Sequence, residues 1–144
     1  MSQLNEEPKN VEEVFDTDDE GEKSRKYILN AAYRENGQRN HILKGLNKAQ
    51  DEDMILISDV DELPNLENID FNKIKKDIIL FRQNMFYYKF NLKLPNLIWT
   101  GTKACKKKYL KSPQWLRDQK VKKYSILKFY KIKWNIIQNG GWHF

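Results

Sequence analysis

Residues 54–64, Met-Ile-Leu-Ile-Ser-Asp-Val-Asp-Glu-Leu-Pro, constrain this chain more than any other stretch. An apolar run of strand length stops at two carboxylates one residue apart, and a Leu-Pro step then interrupts the strand. The run is continuously apolar, the pattern of a strand buried on both faces. Before it, from about residue 24 to 49, Ile28, Ala31, Ala32, Ile42, Leu43, Leu46 and Ala49 recur at three- and four-residue steps and predict a helix. Gly37 is expected to mark a break or kink between two pieces of that helix. A helix feeding a buried strand predicts an α/β fold, in which ligands bind at the carboxyl ends of the strands. Asp59 and Asp61 fall at that rim. Paired oxygen ligands there suit Mg²⁺ or Mn²⁺, cations that hold diphosphates. The same residues also fit a capped, solvated loop. A calcium-binding EF-hand is excluded, because Pro64 stands where that loop needs Gly and no Glu falls at its twelfth position.

Downstream, residues 77–82 read as a second strand. Residues 85–94 alternate, with Phe86, Tyr88, Phe90 and Leu92 on one face and Met85, Tyr87, Lys89 and Lys93 on the other. Residues 97–104 supply a partner strand. Ser112-Pro113 starts a helix, with Ser as cap and Pro in the first turn, expected to run to about residue 123. Residues 125–137 suit one long strand, and Asn139-Gly140-Gly141 turns the chain into Trp142-His143-Phe144. The 144 residues suffice for one domain. The expected organisation is an acidic, poorly ordered lead-in over 1–24, containing Asp16-Thr17-Asp18-Asp19-Glu20, followed by a domain over 25–144.

Charge is unevenly distributed. Residues 1–70 hold 8 Lys+Arg against 18 Asp+Glu, and residues 71–144 hold 18 against 2, so the halves carry opposite net charge. The basic half could meet phosphates, nucleic acid or an anionic membrane face, or the two halves could neutralise each other. Aromatics among the lysines (Phe86, Tyr87, Tyr88, Phe90, Trp99) allow single-stranded nucleic acid as a partner, although alternation assigns one face to packing. No window approaches the apolar length of a membrane span. Residues 1–10 lack the basic and apolar regions of a secretory signal, so a cytoplasmic location is expected. The lone Cys105 excludes an intrachain disulfide and a cysteine-based zinc site.

Two further clusters carry functional residue types. Arg34-Glu35-Asn36-Gly37-Gln38-Arg39-Asn40 is dense in planar hydrogen-bonding groups, of which Arg suits bidentate contact with phosphate; it is equally readable as a solvated helix face. In Gly140-Gly141-Trp142-His143-Phe144 the glycines permit close backbone approach, Trp142 offers a stacking platform, and His143 a metal ligand or proton carrier; packing is the alternative.

In order, Arg-Glu-x-x-Gln-Arg-Asn at 34–40, Ile-Ser-Asp-Val-Asp-Glu-Leu-Pro at 57–64, Phe-Arg-Gln-Asn-Met-Phe-Tyr-Tyr at 81–88 and Gly-Trp-His-Phe at 141–144 resemble glycosyltransferase family 17. That family includes the β-1,4-mannosyl-glycoprotein 4-β-N-acetylglucosaminyltransferase. The resemblance covers residues 27–144. It implies a GT-A-like (Rossmann-like) mixed sheet flanked by helices. It implies inverting transfer of N-acetylglucosamine or a related sugar from a UDP-sugar donor to a hydroxyl of a glycan or glycoprotein acceptor, assisted by Mn²⁺ or Mg²⁺. Asp59 and Asp61 then match the metal-bridging positions, and His143 is expected to complete the metal shell. Arg34, Gln38, Arg39 and Asn40 are expected to contact the donor or order the metal loop, and Trp142 to stack on a sugar. An inverting transfer needs a carboxylate to take the acceptor's proton. Glu62 is the candidate, and Asp77 and Asp118 are the only carboxylates of the basic half. Relatives carry an additional strand and helix before the first motif and continue past the last, so a version shortened at both ends is expected. The alternative function is a non-catalytic basic module for nucleic acid or acidic glycan, dependent on Lys106, Lys107 and Lys108.

Overall fold

The computed structural model describes residues 11–87, 91–120 and 134–144. It divides into two compact units, Met1–Asn47 and Lys48–Phe144. The composition of the sequence, by contrast, changes at about residue 24.

The first unit is built on helix α1, Glu20–His41, continued by a 3₁₀ turn at Ile42–Leu46. Asp19 caps its N-terminus, its side chain accepting from the Glu22 amide at 2.8 Å. The helix runs unbroken through Gly37, contrary to the expected break: one interior glycine costs only about 1 kcal/mol against alanine, too little to end a capped helix of this length. Residues 11–18, expected as loose lead-in, are tied to the helix. The Asn30 side chain accepts from the amides of Val11 and Glu12 and donates to the Glu12 carbonyl. Buried Lys26 pairs with Asp18 at 2.7 Å.

The second unit is mixed α/β, with a six-stranded mixed sheet in the order β1-β4-β3-β6-β2 and β5 also on β3. The strands are β1 Met54–Ile57, β2 Glu62–Pro64, β3 Ile78–Phe86, β4 Lys93–Lys106, β5 Trp134–Ile137 and β6 Gly141–His143. Pairings β1/β4, β3/β4 and β2/β6 are antiparallel; β5 and β6 run parallel to β3, one after the other along the same edge. Residues 78–81 are all buried, as the apolar run Ile-Ile-Leu-Phe requires of a strand covered on both faces. On one face Ile79, Phe81 and Ala104 pack with Leu56, Ile69, Phe71 and Ile74. Ile55, Ile57, Ile78 and Leu80 occupy the other face. Fully buried Leu116 comes from the short helix α2, Pro113–Arg117.

Two expectations are corrected. Residues 85–94 do not form one strand: β3 ends at Phe86, β4 begins at Lys93, and the Tyr87 amide bonds the Leu92 carbonyl at 3.0 Å to close the bend. Of the alternating residues described, Met85 and Phe86 end β3, Lys93 opens β4, and Tyr87 and Leu92 lie between the strands. Helix α2 stops at Arg117, because Gln119 turns back, its amide on the Leu116 carbonyl and its side chain on the Trp115 carbonyl. Tyr88, Lys89 and Phe90 of the alternating segment, the helical expectation beyond Lys120 and the strand expectation over 125–133 lie outside the described residues; β5 is the end of that expected strand.

Among the described residues no helix is long and apolar enough to cross a membrane.

Candidate functional site

The acidic turn occupies residues 58–61, at the carboxyl end of β1 and leading into β2. The backbone closes it locally, with the Glu62 amide on the Asp59 carbonyl at 3.1 Å, and the Ser58 hydroxyl donates to the Glu62 carbonyl at 2.9 Å. Strand β6 fixes its far side: Glu62 pairs with His143 in the antiparallel register, and the Phe144 amide bonds the Asp61 carbonyl at 3.0 Å. Gly141, at φ +131°, makes this approach feasible, since a Cβ there would lie 2.0 Å from the Leu63 carbonyl oxygen.

Three carboxylates within four residues repel one another unless something neutralises them. Here Arg117, at the end of α2, does so. One guanidinium nitrogen reaches Glu62 Oε2 at 2.9 Å and the Gly101 carbonyl at 2.8 Å. The other reaches Asp59 Oδ2 at 2.6 Å and Glu62 Oε1 at 3.0 Å. This is the bidentate fork for which Arg and not Lys is suited. Glu62 is only 3% exposed and also accepts from the Trp99 indole at 2.9 Å and the Asp59 amide at 3.1 Å. Such an engaged, buried carboxylate anchors the turn; it does not present itself to an acceptor hydroxyl as a free base does.

Behind it lies a buried polar layer. Thr102 meets Ser58 through the two hydroxyls, and Gln83 bonds both the hydroxyl and the amide of Thr102. The β3/β4 register slips between Leu80 and Arg82, opposite Gly101 and Thr102. An added Cβ at Gly101 would lie 1.8 Å from Gln83 Oε1 and 2.8 Å from Glu62 Cδ. Buried Lys103 donates to the Arg117 carbonyl, and burial pulls its ammonium down to about 8.

Asp61 remains more open, its side chain 45% exposed, with Oδ2 3.7 Å from His143 Nε2. The His143 ring stands edge-on to Trp99, centroids 5.1 Å apart, and its buried Nδ1 has no hydrogen-bond partner among the described residues. Adjacent residues on a strand face opposite ways. Trp142 therefore leaves the sheet on the other side from His143, paired across strands with Leu63. Asp61 and His143 are thus brought together, while Asp59 turns to Arg117. Arg34, Gln38, Arg39 and Asn40 stand on α1 in the first unit, Arg39 in an ion pair with Glu35.

Among the described residues no group of three or more His, Cys, Asp or Glu side chains is arranged to hold a metal. What exists is a two-donor corner, Asp61 with His143. Two such donors supply at most two of the ligands that a divalent cation needs. The corner does not fit a closed all-protein site.

The lysine cluster at the end of β4 is already engaged. Lys106 and Lys108 both bond Glu52, whose carboxyl they hold down at about 2, and Lys107 donates to the Ala49 carbonyl at 2.8 Å.

Sequence reasoning missed Arg117 and Gly101, and named Trp99 only among aromatics that could stack on nucleic acid, not as a partner of Glu62. One signal was present: Arg117 is one of only two arginines among the 18 basic residues of 71–144, in a half otherwise served by lysine. No protein-family model, curated protein or solved structure matches the chain.

Proposed function

We propose that the chain is a glycosyltransferase of GT-A-like fold, moving N-acetylglucosamine or a related sugar from a UDP-sugar to a glycan hydroxyl with inversion. The observation that carries this reading is the acidic turn at the carboxyl end of β1, where Arg117 takes up Asp59 and Glu62 and leaves Asp61 facing His143. Asp61 and His143 would hold the divalent cation. When bound, that cation offsets the negative charge that builds on the departing diphosphate. Arg117 and Glu62 keep the turn in one conformation, so Asp61 meets its ligand without a further ordering cost. Trp99 holds Glu62 from one side and the His143 ring from the other, which orients the imidazole. Asp59, one-third exposed and paired with Arg117, serves the turn before it serves a metal. The nucleic-acid alternative loses support, because Lys106, Lys107 and Lys108 are neutralised or hydrogen-bonded within the fold.

Calorimetric titration of UDP-N-acetylglucosamine into the full chain, with Mn²⁺ and with chelator, tests the reading. Binding is expected only with metal, and Asp61→Ala is expected to weaken it tenfold or more, about 1.4 kcal/mol. Metal-independent binding, or binding indifferent to Asp61, would remove it.

A further inference from the structure

Within the first unit, helix α1 buries its polar side. Its buried residues are Lys26 and Asn30, engaged by Asp18 and by the backbone of Val11 and Glu12. The opposite side carries the apolar repeat. Ile28, Ala31, Ala32, Glu35, Arg39 and Ile42 fall within an arc of about 100°, the width of a face made for burial. Ile28 is 69% exposed, and Ala31, Ala32, Ile42 and Leu43 are exposed as well. Glu35 and Arg39, an ion pair one turn apart, stand in the middle of this stripe, with 57% and 17% of their side chains in water. A surface helix turns such a face toward a core, and an apolar face left outside marks a contact surface.

The residues along the stripe also fit a particular partner. Turned end for end about residue 37, the stripe complements itself: Glu35 falls opposite Arg39, Ala32 opposite Ile42 and Ala31 opposite Leu43. Opposite charges meet, and each small side chain meets a large one, as close helix packing requires. A parallel, in-register pairing would instead set Glu35 on Glu35 and Arg39 on Arg39, like charge on like.

We infer that a second copy of this chain docks on this face, its α1 antiparallel to the first across a two-fold axis level with Gly37. Each Glu35 pairs with Arg39 of its own helix and with Arg39 of the opposing one, so the four charges alternate in sign. The alanines let the helix axes approach to about 8 Å, the close end of helix packing. Ile28 reaches the 3₁₀ turn Ile42–Leu46 of the opposing copy. About four turns of helix make less than a standard interface, so the dimer dissociates in the micromolar range. The inference concerns the first unit and does not depend on the proposed transfer reaction.

Sedimentation velocity on the full chain, from low micromolar to several hundred micromolar, is the test. The wild-type chain passes from monomer to dimer as concentration rises. Glu35→Arg and Arg39→Glu each weaken the dimer at least tenfold, because like charges then face each other across the axis. Mixed in equal amounts the two variants recover a dimer, since every charge at these positions on one faces its opposite on the other. Ala32→Arg, at an exposed helical position on the axis-facing side, weakens the dimer to the same degree while circular dichroism shows wild-type helix content. A wild-type chain that stays monomeric overturns the inference, as does growth beyond a dimer, which a closed two-fold contact forbids. A dimer that the variants leave undiminished overturns it too, as does a mixture of the two folded charge variants that fails to associate. Should a charge variant not fold, Ala32→Arg decides alone.

Discussion

Replacing Arg117 by Met keeps the length of the side chain and removes the fork that neutralises the acidic turn. The cost follows from what is left behind. Glu62, its side chain 1% exposed, becomes a buried carboxylate without its cation, and breaking a buried pair from one side costs about 3–5 kcal/mol. Asp59, with a third of its side chain in water, adds no more than about 1 kcal/mol. The Gly101 carbonyl loses one donor, worth about 1 kcal/mol. A loss of about 4–7 kcal/mol is a large part of the roughly 5–15 kcal/mol that holds a domain together. Urea unfolding followed by tryptophan fluorescence and far-ultraviolet circular dichroism measures it. The decisive comparison is a double-mutant cycle with Glu62→Gln, which removes the charge and keeps the shape. Arg117→Met/Glu62→Gln is expected to cost about 2 kcal/mol less than the sum of the single changes. A cost below about 1 kcal/mol for Arg117→Met, or strict additivity in the cycle, would refute the argument that Arg117 and Glu62 act as a unit.

Gly101→Ala is expected to destabilise by about 1–3 kcal/mol in the same assay, because its Cβ collides with Gln83 and Glu62 where both are buried; an unchanged urea midpoint would refute the tight approach. Burial and the neighbouring Arg117 lower Lys103 from 10.5 to about 8, so between those values the unfolded chain keeps a proton that the native chain has lost. Stability should therefore rise with pH across that window, by at most about 3 kcal/mol. Burial lifts the Cys105 thiol from 9.0 to about 11, which reverses the sign, and stability should fall over that range. Unfolding free energies from pH 7.5 to 11 should lose the rise in Lys103→Met and the fall in Cys105→Ala, and a Lys103→Met curve parallel to wild type would contradict the first assignment.

What the sequence made legible was local. The run Met-Ile-Leu-Ile became β1 and its two Asp residues fell at the strand's carboxyl end, because hydrophobic run length and a Leu-Pro interruption are short-range signals. Ser112-Pro113 opened a helix as its capping chemistry requires. The missed parts were of two kinds. Gly37 and residues 85–94 misled because weak local preferences were overruled, by a capped long helix in one case and by a hairpin bend in the other. The pairing of Arg117 with Asp59 and Glu62 spans more than fifty residues, and no periodicity records a contact at that separation. Nor did the apparent basic patch at Lys106, Lys107 and Lys108 reveal that Glu52 and the Ala49 carbonyl already occupy it.

The acidic motif changes meaning once its distant partner is known. In sequence, residues 59–62 are three equivalent carboxylates competing for one role. In the fold they are divided by what each faces. Glu62 points into the layer formed by Trp99 and Arg117, and Asp59 leans on the same guanidinium. Asp61 looks outward beside His143. Two of the acids thus hold the third in place, and a ligand arriving at Asp61 meets a turn whose conformational entropy was already lost on folding. Preorganisation of this kind raises affinity without adding a contact. It also makes Arg117 a lever on whatever binds at Asp61: loosening the fork should weaken that ligand even though Arg117 never touches it.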